Sequence, residues 1–100
     1  MEVSWMRKRD LHILTSGIHT YTGDARFSVR HPEHSDDWDL RIEYVQKRDG
    51  GVYECQVNTE PKINLAIILN VDGKYHFNTC IEKRTLGAKI RMFISDRINY

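Results

Sequence analysis

Long apolar runs are missing from this chain, and so are most of the residue types that advertise a ready-made chemistry. No stretch of its 100 residues approaches the ~18 consecutive apolar positions that span a bilayer. The opening Met1-Glu2-Val3-Ser4-Trp5 has no basic segment followed by an apolar one, so no export signal is visible. Cysteine is confined to Cys55 and Cys80, too little for a disulfide framework. Neither sign of charge dominates: 15 Lys and Arg against 14 Asp and Glu leave a net +1. That balance gives nucleic acid no electrostatic hold. Residues 72–100 hold 6 basic and 3 acidic side chains, a cationic bias too small to be a binding signature. There is no glycine-rich phosphate loop and no Ser-His-Asp arrangement in a recognisable context. Nothing here predicts an enzyme, a cofactor or a small-molecule substrate.

Alternation is what the chain does have. Trp38-Asp39-Leu40-Arg41-Ile42-Glu43-Tyr44 switches between apolar and charged without a break, the pattern of a half-buried strand. It predicts Trp38, Leu40 and Ile42 inside and Asp39, Arg41 and Glu43 in water. Tyr53, Cys55 and Val57 form the inner face of a second strand, and Leu65, Ile67, Leu69 and Val71 that of a third. Val3–Lys8 and Leu11–Thr15 read as a strand pair joined at Arg9-Asp10, and Arg26–Val29 as a short strand after the Gly23-Asp24 turn. Turn signals at Ser16-Gly17, His31-Pro32, Asp49-Gly50-Gly51 and Glu60-Pro61 punctuate these segments. No helical period appears before residue 72, so the expected class is an all-β antiparallel sandwich.

Asp72-Gly73 marks a boundary, after which the pattern blurs. Lys89–Ile94 fits a strand or a short helix equally well. The composition of residues 72–100 favours a loosely ordered tail over a segment packed on the domain.

Gly51-Val52-Tyr53-Glu54-Cys55, with Trp5 far upstream, narrows the sandwich to one kind. A Tyr two places before the strand F cysteine is the tyrosine corner of an immunoglobulin-like domain, and a strand C Trp packs against the disulfide between strands B and F. Only four residues precede Trp5, so the expectation is a variable-type sandwich lacking strands A and B. The wording goes further. Val3-Ser4-Trp5-Met6-Arg7-Lys8-Arg9-Asp10-Leu11-His12-Ile13-Leu14-Thr15, Tyr21-Thr22-Gly23-Asp24-Ala25-Arg26-Phe27, Asp37-Trp38-Asp39-Leu40-Arg41-Ile42 and Gln46-Lys47-Arg48-Asp49 through Val57 resemble the first immunoglobulin domain of the insect Dpr family (defective proboscis extension response). The likeness covers roughly residues 3–71, leaving 1–71 as a partial immunoglobulin-like domain (strands C to G) and 72–100 as a tail outside the family pattern.

That resemblance implies a neuronal cell-surface protein that binds DIP-type immunoglobulin receptors and helps specify synapses, attached to the membrane through parts absent from this chain. The alternative is a fragment of such a protein without binding activity. Within the resemblance, Trp5, Trp38, Leu40, Tyr53 and Cys55 are expected in the core, and Arg26 with Asp49 as a scaffold ion pair. The partner-binding face is expected on the outer side of strands C, C′, F and G, at Met6, Lys8, Leu11, Ile13, Tyr21, Glu54, Gln56, Asn58 and Ile68. Ile13 is expected outside and Leu14 inside. His31, His34, Asp36 and Asp37 are the only metal candidates, and a solvated loop explains them better. Without strand B, strand E is expected to show an open edge, and the chain, on its own, to be aggregation-prone or partly unfolded; Cys80 could pair with Cys55 if the tail filled the slot as a replacement strand.

Overall fold

A period of two places one side of a strand in the core and the other outside, and the computed structural model follows that rule over the residues it describes, 2–71, 79–85 and 88–94. Strands β1 (Val3–Arg7), β2 (His12–Ser16), β3 (His19–Thr20), β6 (Gly51–Val57) and β7 (Ile63–Leu69) form a five-stranded antiparallel sheet in the order β3-β2-β1-β6-β7. Strands β4 (Phe27–Arg30), β5 (Trp38–Ile42), β8 (Thr79–Thr85) and β9 (Ala88–Ile94) form the second sheet, in the order β4-β5-β9-β8. A 3-10 turn, Lys47–Asp49, precedes β6.

Trp5, Leu14, Tyr53, Cys55, Val57, Ile67 and Leu69 from the first sheet meet Phe27, Trp38, Leu40, Ile42, Ile90, Met92 and Ile94 from the second, all buried. Arg26 and Asp49 close one end of this core. Two parallel bonds join them, Nη1 to Oδ2 at 2.7 Å and Nη2 to Oδ1 at 2.9 Å, and Asp49 also accepts from the Gln46 amide at 2.7 Å. Burial pushes the Asp49 carboxyl up, but the Arg26 and Gln46 hydrogen bonds outweigh it, and the group stays below the ordinary carboxylate range. Tyr53 is buried with its hydroxyl donating to the Asp49 carbonyl at 2.7 Å, the corner geometry expected of that position.

Three expectations change. The segment after residue 78 is not a loose tail over 79–85 and 88–94: it supplies β8 and β9, and 88–94 is a strand. Ala88, Ile90, Met92 and Ile94 are buried at a strict period of two. The edge of β5 is therefore not open, because β9 lies along it in parallel. Asp39, expected in water, is 2% exposed, since β9 places Arg91 beside it, with Nε–Oδ1 at 2.7 Å. Cys55 is a free buried thiol, and burial pushes its pKa up to about 12. The side chain of Cys80 lies outside those described.

Candidate functional site: the outer face of the first sheet

Leu11 to Thr15 is apolar on both sides of a strand, so something must sort it. A bulge does. Trp5 pairs with Thr15 and Met6 with Ile13, leaving Leu14 as the extra residue between them. Leu14 and Thr15 both turn inward and are buried, while Ile13 is left outside. The freed Leu14 carbonyl accepts from the Tyr21 amide at 2.8 Å, which brings Tyr21 back beside the strand.

Cross-strand pairing then lays out rows across the sheet. Ile13, Met6, Glu54 and Ala66 form one row, and Ser16, Ser4, Gln56 and Asn64 the next. Between them lies an open groove of about 480 Å³ lined by Ser4, Trp5, Met6, Ile13, Ser16, Tyr21, Glu54 and Gln56. Met6 is half-buried in it, and Ile13 (53% exposed) and Tyr21 (64%) stand on its wall. The polar side is internally paired: Ser4 and Ser16 hydroxyls are 3.0 Å apart, and Lys8 Nζ sits 3.3 Å from Glu54.

Of the nine residues expected on this face, Met6, Ile13, Tyr21, Glu54 and Gln56 line the groove together. Lys8 borders it through Glu54. Leu11 and Ile68 are exposed apolar side chains beyond its lining, each 64% exposed. Leu11 sits in the turn, with φ at +56°, a conformation that costs an ordinary residue about 1 kcal/mol or more. Its neighbour Asp10 holds the turn by accepting from Arg7, Nη2–Oδ2 at 2.9 Å, and from the His12 amide. Asn58 is not brought to the groove; its Oδ1 accepts from the Glu2 amide at 2.7 Å.

Among the described residues, two exposed apolar side chains were not among the expected nine. Val52 pairs directly with Ile68 and extends its apolar surface onto β6. The alternation that buries Tyr53 already puts Val52 outside. Ile18, at the β2–β3 turn, carried no periodic signal at all.

The core residues of the expected set point into the space between the two sheets. Trp5, Tyr53 and Cys55 are buried in the first sheet, Trp38 and Leu40 in the second. His31 stacks on Trp38 with ring centroids 3.7 Å apart, and its Nδ1 lies 2.8 Å from the Asp37 carbonyl oxygen. That position occupies one of its nitrogens, and His34 is exposed beside Glu33. Among the described residues no three His, Cys, Asp or Glu groups converge as a metal site. The buried Cys55 thiol stays protonated and is out of reach as a nucleophile.

Residues 1–68 match the immunoglobulin V-set domain family. The chain is similar to the first immunoglobulin domain of Dpr1, solved bound to that of DIP-eta, with 56% identity and a TM-score of 0.61 over 69% of this chain and 65% of that one. It is similar to a two-domain Dpr2 solved in complex with DIP-Theta, with 55% identity and a TM-score of 0.69 over 84% of this chain and 38% of that one. It is also 31% identical over 70 residues to the Caenorhabditis elegans Zwei Ig domain protein zig-8, covering 70% of this chain and 26% of the relative. The chain thus spans under two thirds of the length of each.

Proposed function

The chain belongs to the immunoglobulin V-set family and closely matches the first immunoglobulin domains of Dpr proteins, and from that premise we propose that it is a recognition module for a DIP-type immunoglobulin receptor. The face that makes the contact is the outer side of β3-β2-β1-β6-β7, the C″-C′-C-F-G sheet of a variable-type domain. The observation that carries this reading is the grouping of Met6, Ile13 and Tyr21 around one groove, with Leu11, Val52 and Ile68 exposed on the same sheet or its turn. Scattered single apolar residues on a surface need no explanation, but a grouped set with a polar rim marks an interface.

Recognition on this face works without chemistry. Ile13 and Tyr21 are held by backbone pairing and offer apolar area at low ordering cost. Glu54, already neutralised in part by Lys8, supplies a polar rim that penalises a partner with a misplaced charge. Neuronal cell-surface residence and a part in synapse specification come with the Dpr likeness. Among the described residues no helix is long and apolar enough to cross a membrane.

The experiment is binding of the chain to a panel of DIP first immunoglobulin domains, with Ile13→Asp as the interface variant. A carboxylate forced into an apolar contact is expected to weaken binding on the order of 100-fold while leaving the fold intact. Binding to no member of the panel would favour the alternative, a fragment without recognition activity.

A further inference from the structure

Strand β5 makes narrow demands on whatever lies beside it. Its inward residues Trp38, Leu40 and Ile42 need apolar neighbours, and its edge peptide groups need hydrogen-bond partners. On its other face Asp39 is 2% exposed, and a carboxylate so buried requires a cation. In an immunoglobulin-type sandwich the sheet order puts strand B, with the first disulfide cysteine, next to this strand. Here the neighbour is β9, and it runs parallel.

The match between β9 and that edge runs along both faces. Ile90 lies beside Trp38, Met92 beside Leu40 and Ile94 beside Ile42, so the buried sets coincide. On the outer face Arg91 lies beside Asp39 and donates to it twice, at 2.7 and 3.1 Å. Phe93 is paired with Arg41 and has the guanidinium groups of Arg91 and Arg41 5.1 and 5.5 Å from its ring centre. A slip of one residue would drive Arg91 and Phe93 into the core and expel Ile90 and Met92. The far edge of β9 is covered in turn by β8, antiparallel from Thr79 to Thr85.

We infer that β5 is a strand-acceptor site whose ligand is residues 88–94 of the same chain, an extended segment with apolar side chains at alternate positions and an arginine opposite Asp39. This segment closes the sandwich where other immunoglobulin domains use a disulfide-bearing strand. Closure is non-covalent, Cys55 stays a thiol, and the folded state is indifferent to reductant. A strand supplied by a second copy could satisfy the same edge; the cis arrangement has β9 already seated.

Hydrogen exchange and thermal melting of the full chain test this. The expected result is protected β5 amides on the side facing β9, and a melt unchanged by reductant or by protein concentration. Arg91→Glu is expected to raise the unfolding constant on the order of 100-fold, since it leaves Asp39 buried against a like charge. The charge swap Asp39→Arg with Arg91→Asp should recover most of that loss, which a mere packing defect at residue 91 would not allow. Lys83→Glu, at an exposed position of β8, should change nothing. Freely exchanging β5 amides in the intact chain, a swap no better than the single variant, or a melt that falls on reduction would each overturn the inference. So would a concentration-dependent melt with a dimer mass, which would assign the strand to a second copy.

Discussion

The two sheets share one core yet treat their outer faces in opposite ways. On the second sheet the outward groups of β5 and β9 contact one another: Asp39 is bound by Arg91, and Arg41 and Arg91 lie over Phe93, with Arg41 Nε alone buried without a hydrogen-bond partner among them. On the first sheet the outward apolar groups Ile13, Tyr21 and Ile68 have no such company and remain exposed. A face whose groups are occupied with one another has little left to offer a partner. The other face leaves its apolar area uncovered, and the proposed function assigns partner binding to it. On that proposal, stability and recognition divide sheet by sheet.

The largest effect that would break this comparison belongs to the scaffold. Asp49→Ala strands Arg26 with one fewer carboxylate and removes the Gln46 contact. A loss of about 3 kcal/mol in urea unfolding is expected, because several charge-assisted hydrogen bonds go at once while Asp24 still pairs the guanidinium. The same pair sets an acid limit. The Asp49 carboxyl lies below its ordinary value in the fold, so its contribution is fully present above the unfolded value of about 4. It is lost as pH falls from there through the lower folded value. Asp24, held down chiefly by its hydrogen bond from Arg26, adds to the same limb. Melting temperatures recorded across that range should fall with pH in the parent chain and fall less in Asp49→Asn.

Next in size is the recognition face. Ile13→Asp should cost on the order of 2–3 kcal/mol in partner binding but shift unfolding by less than about 0.5 kcal/mol, as exposed substitutions do. Equal losses in both measurements would erase the division of labour. Tyr53→Phe should lower stability by about 1–2 kcal/mol, because the Asp49 carbonyl loses its donor. Affinity should hold in that variant at temperatures where it stays folded. Smallest is Val52→Ser, expected to weaken binding several-fold if the apolar strip extends through Ile68.

What could be read from the sequence, and what could not, divides along a physical line. Strands β1, β5, β6 and β7 announce themselves by local alternation, whereas Leu11-His12-Ile13-Leu14, apolar on both faces, leaves its orientation open, and Ile13 outside with Leu14 inside comes from the likeness to variable-type domains. The bulge that accomplishes the sorting has no residue signature in that run. The partner of β5 was hidden for a different reason. Parallel pairing needs no hairpin turn, and Met92-Phe93-Ile94 shows no alternation until Arg91 and Phe93 are seen on the side of Asp39. Asp39 looked solvated because its cation lies 52 residues away in sequence. Asn58 was placed on the recognition face by alternation alone, whereas it caps the Glu2 backbone beyond the end of the strand.

The most direct test titrates a DIP first immunoglobulin domain onto the chain carrying either Ile13→Asp, on the first sheet, or Ser28→Asp, at an exposed position of the second. Affinity should fall roughly 100-fold for the first and stay within about twofold for the second. A partner that ignores residue 13 and is lost at residue 28 would put recognition on the wrong side of the sandwich and contradict the account.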